Sequence, residues 1–223
     1  DPKNDYKCFV GMSYWRPFID EGAEEIKKYN PDEIISLPLY PQHSTATTKP
    51  ALEEATKYFP DSIIKNIDSF YNDDGFVDAL VAQIQKNKPE EGEVILFSAH
   101  GLPQSIVDAG DPYVRQCEET ARRLNKKLPE GRAGKLCYQS RLGPKKWTQP
   151  YLREEIIAAA KGGPSILVVP ISFVSEHVET LYELKIEMAA LAREKGAKNY
   201  RVAETVGIHP DFIKGLAKKL TKT

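Results

Sequence analysis

Two short stretches carry histidines and carboxylates in an arrangement that could bind a divalent metal ion. His100 follows the apolar run 94–97 and precedes Gly101, which predicts a position at the carboxyl end of a β-strand. The second stretch follows another apolar run and places His177 among four glutamates. These are Glu176, Glu179, Glu183 and Glu187. Imidazole and carboxylate groups together suit ions such as Fe2+, Co2+ and Ni2+.

Each stretch also has a plain structural interpretation. A histidine at a strand end can be held by a backbone carbonyl, and a glutamate stripe is often the solvated face of a helix. At 100° per residue the four glutamates share one narrow face of the helix predicted over 177–195. Three features favour a site. The stripe starts at a helix N-terminus, His177 lies in the same turn, and both stretches follow strands whose carboxyl ends should share one sheet edge.

A third loop, residues 140–150, could bind a flat organic ligand. Arg141, Lys145 and Lys146 offer charge-assisted hydrogen bonds to carboxylates, and Trp147 offers an aromatic face. The same residues also fit a charged surface loop that is anchored by its tryptophan. From the sequence, both interpretations of this loop stay open.

The elements that would position these residues alternate between strand and helix. Strands are predicted at 6–12, 33–37, 62–67, 94–98, 135–139, 165–169 and 200–203, with helices between most of them. This order predicts an α/β fold with parallel sheets built from βαβ units. The charged linker 86–92 is the best boundary between two lobes, 1–88 and 89–208. The first lobe then holds about three strands, which is few for a covered sheet.

Composition excludes several classes of protein. The net charge is −1, from 31 basic and 32 acidic residues, so no overall field favours nucleic acid or an anionic membrane. No apolar run approaches the ~20 residues of a membrane span. Cys8, Cys117 and Cys137 lie far apart, which argues against a cysteine-ligated metal site and for a reduced, cytoplasmic setting. The chain opens without methionine, so we expect preceding sequence to be missing.

Taken together, these motifs resemble the ferrochelatase family, whose members insert ferrous iron into protoporphyrin IX at the end of haem synthesis. The resemblance covers essentially the whole chain. Its main carriers are Leu37-Pro-Leu-Tyr-Pro-Gln-His-Ser44, Phe97-Ser-Ala-His-Gly-Leu-Pro103, Gly110-Asp-Pro-Tyr113, Gln139-Ser-Arg141 and Ser175-Glu-His-Val-Glu-Thr-Leu-Tyr-Glu183. It implies two Rossmann-like lobes around a cleft, the first lacking the N-terminal third of a usual member. It also implies that the closing helix, 209–221, packs back on the first lobe.

The resemblance assigns roles to individual side chains. His100 and Glu179 would flank the metal-insertion point and contact the metal, with His100 as the base that accepts pyrrole protons. Glu176, His177 and Glu183 would assist by delivering metal or carrying protons away. The porphyrin contacts implied in this way are Tyr14, Ser98, Ser140, Arg141, Trp147 and Phe173.

The expected partners are protoporphyrin IX and ferrous iron, with iron as a substrate and no nucleic acid. We expect no permanently bound cofactor and no iron–sulfur cluster. A cytoplasmic protein, with peripheral membrane contact as an option, and a monomer or homodimer are expected. Two alternatives remain: a cobalt or nickel chelatase acting on a related tetrapyrrole, and a non-catalytic α/β module that binds a metal or tetrapyrrole. By itself the 223-residue chain is expected to be weakly active or inactive.

Overall fold

The computed structural model describes residues 5–60 and 62–221, in which helices and parallel strands alternate. The strands are β1 (Ile34–Ser36), β2 (Ile64–Asn66), β3 (Val94–His100), β4 (Lys135–Gln139), β5 (Ser165–Pro170) and β6 (Asn199–Val202). The helices are α1 (Ile19–Tyr29), α2 (Thr48–Thr56), α3 (Asp74–Lys86), α4 (Gln104–Asp108), α5 (Tyr113–Lys127), α6 (Leu152–Ala160), α7 (Met188–Glu194) and α8 (Pro210–Leu220). A π-helix, Glu179–Glu187, runs directly into α7. In these described ranges no helix has the length and apolar character needed to cross a bilayer.

The strands form two parallel sheets. β1 pairs with β2, and the other four lie in the order β4-β3-β5-β6. All six residues of β5 are buried, as expected for a central strand of a parallel sheet that is covered on both faces. The predicted α/β fold with helix-flanked parallel sheets is therefore confirmed.

Alternation along β5 divides the core of the four-stranded sheet into two layers. Leu167 and Val169 pack among α3, α5 and α8 on one face. Ile166 and Val168 pack among α6, the π-helix and α7 on the other. Successive strand residues point to opposite faces, so a register slip of one residue would exchange the two layers. Burial on both faces thus fixes the strand ends that position the site.

α3 and α8 make a close helix–helix contact. Gly75 and Gly215 face each other there, and a Cβ on Gly75 would overlap the carbonyl oxygen of Asp211. Phe76 and Phe212 pack beside them, with ring centroids 5.9 Å apart. The closing helix thus lies on α3, which also shares the core of the four-stranded sheet. The division into lobes 1–88 and 89–208 stays a prediction, and the packing of α3 ties the two parts together.

Two local predictions are wrong. Residues 6–12 do not form a strand, and Met12 makes only an isolated bridge to Phe18, because an extended segment needs a neighbouring strand to pair with. The segment 177–195 is not one regular α-helix, since its first part is the π-helix. Hydrogen bonds there advance by five residues, so the face calculated at 100° per residue does not apply.

Candidate functional site

His100 ends β3 at the carboxyl edge of the four-stranded sheet. Its register partner is Gln139, the last residue of β4. The ring Nδ1 lies 2.6 Å from the carbonyl oxygen of Gly101. That oxygen can only accept, so Nδ1 carries the proton and Nε2 is the ring nitrogen that remains for other partners.

Glu179 begins the π-helix and faces His100. Its Oε1 lies 3.1 Å from His100 Nε2, and the two side chains are 35% and 32% exposed. Both groups are thus partly desolvated yet open to a ligand. The structure brings together the two residues proposed to contact the metal, and their roles in binding and catalysis stay predictions.

The two groups shift each other's protonation. Burial lowers the pKa of His100, but hydrogen bonds to Glu179 and to the Gly101 carbonyl, with the nearby carboxylate charges, outweigh it and raise this pKa above its ordinary value. The hydrogen bond to His100 lowers the pKa of Glu179, although burial opposes that shift. Between these two pKa values the pair is imidazolium and carboxylate, with both ring nitrogens donating.

We expect Glu179→Gln to lower the pKa of His100, because the replacement removes both the charge and the strongest acceptor. Histidine-ring ¹H–¹⁵N NMR titration measures this directly. In the wild type, the raised pKa of His100 stabilises the fold fully below the unfolded pKa of about 6.5, and this contribution is lost as the pH rises through the folded pKa. Glu187→Gln, on the same helix and exposed, is the control. An unchanged His100 titration in Glu179→Gln would contradict the assignment.

His177 and Phe173 complete this side of the cleft. His177 Nδ1 accepts the backbone N–H of Glu179 at 3.2 Å and lies 3.5 Å from Glu179 Oε2. Phe173 meets the His177 ring edge-on at 4.4 Å between centroids and lies 6.4 Å from the His100 ring. Because Nδ1 accepts the Glu179 N–H, His177 helps to orient Glu179, and its Nδ1 lone pair is not available to a metal ion.

Glu183 binds the end of β4 instead of facing the cleft. One carboxylate oxygen accepts the Ser140 backbone N–H at 2.8 Å, and the other accepts the Ser140 hydroxyl at 2.5 Å and the Gln139 amide at 3.0 Å. Ser140 has a φ of 64°, a left-handed conformation that these bonds hold in place. The contacts of Glu183 and Ser140 therefore describe an anchor for the strand end, and their predicted catalytic and porphyrin-binding roles gain no support from this geometry.

Glu176 points away from His100. Its carboxylate accepts the backbone N–H of Thr205 at 2.9 Å and the hydroxyl of Thr180 at 2.8 Å, and it lies 3.4 Å from Lys185 Nζ. These bonds lower the pKa of Glu176 against the opposing effect of burial. The glutamates of the predicted acidic stripe therefore bind different partners, and Glu179 is the one that contacts His100.

Trp147 lies beside His100, with ring centroids 6.5 Å apart. Its indole N–H donates to the Leu142 carbonyl at 2.9 Å, which fixes the ring at the base of the loop. Arg141 stacks on the Tyr151 ring at 4.8 Å and is exposed. Trp147 thus places an aromatic face beside His100, and Arg141 is an exposed guanidinium in the loop after β4; their contacts with porphyrin stay predictions.

Two predicted porphyrin contacts lie elsewhere. Ser98 has no exposed surface and donates to Gln139 Oε1 at 2.7 Å. Both faces of β3 are covered, so Ser98 is buried in the sheet, and its predicted contact with porphyrin gains no support from this geometry. Tyr14 is 84% exposed, and the described contacts do not connect it with His100.

Sequence reasoning missed a set of hydrogen bonds centred on Asp111, here called the clasp. One carboxylate oxygen accepts from Ser44 Oγ at 3.0 Å and from Thr45 N–H and Oγ1 at 2.7 and 2.6 Å, while the other accepts Tyr113 N–H at 2.9 Å. The clasp joins the loop after β1 to the start of α5. Both partners carry capping-type residues, but nothing in their spacing along the chain predicts that they meet.

The metal-binding capacity of the site rests on few ligands. Across the part of the chain that the structure describes, no three histidine, cysteine or acidic side chains are grouped closely enough to hold an ion. One imidazole and one carboxylate leave most coordination positions to water or substrate. Such a pair suits an ion that is passed on rather than stored.

The fold and this strand-end pair define a Rossmann-like α/β protein with a histidine–carboxylate site at the sheet edge. Two solved structures share the fold. SirB from Bacillus subtilis with Fe3+ matches with a TM-score of 0.66 at 16% identity, over 93% of this chain and 78% of its own. CbiX, described as the terminal enzyme for biosynthesis of siroheme in denitrifying bacteria, matches with a TM-score of 0.58 at 18% identity, over 87% and 77%.

Sequence comparison then identifies the family. The ferrochelatase family model matches residues 1–223. The chain is 42% identical to a ferrochelatase of Hyphomonas neptunium over 96% of its length, and 42% identical to one of Rickettsia bellii over 98%. It spans 61% and 62% of these two relatives. The chain belongs to the ferrochelatase family, and the resemblance stated from its motifs is confirmed.

Proposed function

We propose that this chain acts in the insertion of Fe2+ into protoporphyrin IX, the reaction of haem synthesis that gives the family its name. The observation that carries the proposal is the 3.1 Å approach of His100 Nε2 and Glu179 Oε1 at the carboxyl edge of the four-stranded sheet. Family membership supports the reaction, and the geometry of this pair supports where it takes place.

The reaction needs a base close to the centre of the macrocycle. Metal insertion releases two pyrrole protons, and an imidazole with a free lone pair can accept them in turn and pass them to solvent. The Gly101 carbonyl holds the proton on Nδ1 of His100, which leaves Nε2 for this task. A divalent ion arriving at Glu179 would compete with the imidazolium for the carboxylate, which lowers the pKa of His100 and frees Nε2 as a base.

The aromatic and basic groups around the pair would bind the porphyrin. Phe173 and Trp147 lie within 6.5 Å of the His100 ring, measured between centroids, so apolar faces lie next to the proposed insertion point. Arg141 is exposed and can bind a propionate carboxylate. Binding energy from the ring edges could then bend the macrocycle and turn its nitrogen lone pairs towards the metal.

A fluorescence assay of Zn2+ insertion into mesoporphyrin tests the proposal. It is run on the 223-residue chain and on a version extended at its N-terminus to the length of the relatives. We expect the extended protein to insert metal and the short chain to be weak, because β1 and β2 are three residues each and form a sheet of two strands. Full activity of the short chain would contradict that second expectation.

The same assay separates the two alternatives. Porphyrin binding without insertion by the extended protein would identify a non-catalytic binding module. Insertion of Co2+ or Ni2+ into a more carboxylated tetrapyrrole, with no insertion into protoporphyrin or mesoporphyrin, would identify a related chelatase. Either result would refute the proposed ferrochelatase activity.

We extend the proposal to the setting of the protein: a cytoplasmic monomer or homodimer, with peripheral membrane contact as an option, and no permanently bound cofactor. Cys117 and Cys137 are fully buried in the two different core layers, while Cys8 is exposed. Residues so separated do not suit a common cluster. The lack of an iron–sulfur cluster stays a prediction that iron and sulfide analysis of the purified protein can test.

A further inference from the structure

The backbone N–H of His100 has an unusual partner for a strand residue. The last register pair between β3 and β5 joins Ser98 to Pro170, and the Ile171 N–H still donates to the Ser98 carbonyl at 2.9 Å. Beyond this point the His100 N–H donates to a side chain, Ser172 Oγ, at 3.0 Å. A serine hydroxyl thus accepts the backbone hydrogen bond that a carbonyl of a neighbouring strand would otherwise accept, and it does so at His100, the proposed base.

Two buried side chains, Tyr113 and Cys117, lie behind the Ser172 hydroxyl. Ser172 and Tyr113 are each 7% exposed and Cys117 is fully buried. The Tyr113 side chain lies close enough to interact with both the Ser172 hydroxyl and the Cys117 thiol. Because Ser172 Oγ accepts from His100, its own proton can donate to Tyr113, whose proton in turn can donate to the Cys117 sulfur. In this row of four groups, from the His100 N–H to the Cys117 sulfur, every donor has an acceptor. Such linked hydrogen bonds stabilise one another.

The row is also anchored to the main chain. The Tyr113 N–H donates to Asp111 Oδ1 at 2.9 Å at the start of α5. Burial raises the pKa of Tyr113, so its hydroxyl keeps its proton as a donor. Tyr113 therefore brings the start of α5 next to Ser172 Oγ, which itself belongs to the segment that follows β5.

We propose that Ser172 is a positioning residue of the site, which holds the end of β3 so that His100 Nε2 faces Glu179. The inference rests on the proposed function, because it assigns Ser172 to the same metal-insertion site. Without the hydroxyl, a partly buried N–H loses its acceptor, and β3 must shift to find another. Even a displacement of about 1 Å at a reacting group can cost 10²-fold in rate.

The test compares Ser172→Ala with Ser172→Thr and Ser165→Ala in the extended protein. Threonine keeps the hydroxyl, and Ser165 is a serine of β5 with the same 7% exposure but lies at the opposite end of the strand. Calorimetric Zn2+ titration, with His100→Ala subtracted as background, should show roughly 10–100-fold weaker binding in Ser172→Ala only. In the mesoporphyrin assay we expect kcat to fall in Ser172→Ala while the KM for porphyrin stays unchanged, and Ser172→Thr should restore both kcat and Zn2+ affinity.

Several outcomes would overturn the proposal: wild-type Zn2+ affinity in Ser172→Ala, an equal loss in Ser165→Ala, or a threonine variant as weak as alanine. If Ser172→Ala does not fold, Ser172→Cys replaces it, since a thiol is a much weaker acceptor for the His100 N–H. Unchanged Zn2+ affinity in that variant would then overturn the proposal. A wild type that binds Zn2+ at His100 but inserts none would refute the proposed function and leave the positioning role standing.

Discussion

Replacing His100 with alanine is expected to lower the rate of metal insertion by about 10²–10⁴-fold, the usual contribution of a general base. The prediction follows from the orientation of the ring, since Gly101 fixes Nδ1 and leaves Nε2 facing Glu179 at 3.1 Å. The loss should appear in kcat with little change in the KM for porphyrin, because the proposed role is proton transfer and not porphyrin binding. The zinc–mesoporphyrin assay measures both constants.

A second histidine gives the matched control for this experiment. His209 is the N-cap of α8, where its side chain accepts the Asp211 N–H. His209→Asn keeps a capping oxygen and should leave insertion unchanged. A near wild-type rate for His100→Ala would show that His100 is not the base.

Arg201→Met is expected to destabilise the fold by about 3–5 kcal/mol, which lowers the melting temperature by roughly 10 °C or more for a chain of this size. Arg201 Nη2 lies 2.8 and 2.6 Å from the two oxygens of Glu93, whose side chain has no exposed surface. Arg201 also donates to the Asn87 carbonyl. The substitution leaves a buried carboxylate without its counter-ion, and it releases edge strand β6 from the segment before β3. Thermal unfolding followed by circular dichroism measures the change.

Two further variants test whether the loss of stability comes from leaving the Glu93 carboxylate buried and unpaired. Glu93→Leu combined with Arg201→Met removes both charges and should recover much of the lost stability, because the cost comes from the unpaired carboxylate. Lys86→Ala breaks an exposed ion pair with Glu204 and should change stability little. If Arg201→Met changed the melting temperature no more than Lys86→Ala does, the buried pair would not hold β6 in place.

Apolar periodicity was sufficient to predict the strands of the four-stranded sheet. Residues 94–97 and 165–169 are continuous apolar or small runs, and they form the central strands β3 and β5. The closing helix, expected over 209–221, forms α8 (Pro210–Leu220). Such local patterns are reliable where one or both faces of a strand or helix are buried. In that case only one orientation of the element places its apolar side chains in the core.

The same reasoning failed where a contact from elsewhere in the chain decides the outcome. Residues 6–12 have strand-like composition but gain no strand partner in the described structure. Glu176 and Glu183 were grouped with Glu179 by helical spacing, yet Thr205 and Ser140 bind their carboxylates. The π-helix explains part of this divergence, because its wider turns change which side chains share a face.

The sequence by itself determined the α/β architecture, the strand-end position of His100 and, through whole-motif resemblance, the family. The resemblance also pairs Glu179 with His100, but only the tertiary structure shows that the two side chains meet directly, at 3.1 Å, and that Glu176 and Glu183 bind other groups. The tertiary structure also decided that Ser172 holds the His100 backbone. The physical reason is that strands and helices arise from local periodicity, whereas hydrogen bonds across a cleft depend on packing between segments about 80 residues apart, and spacing along the chain does not encode that packing.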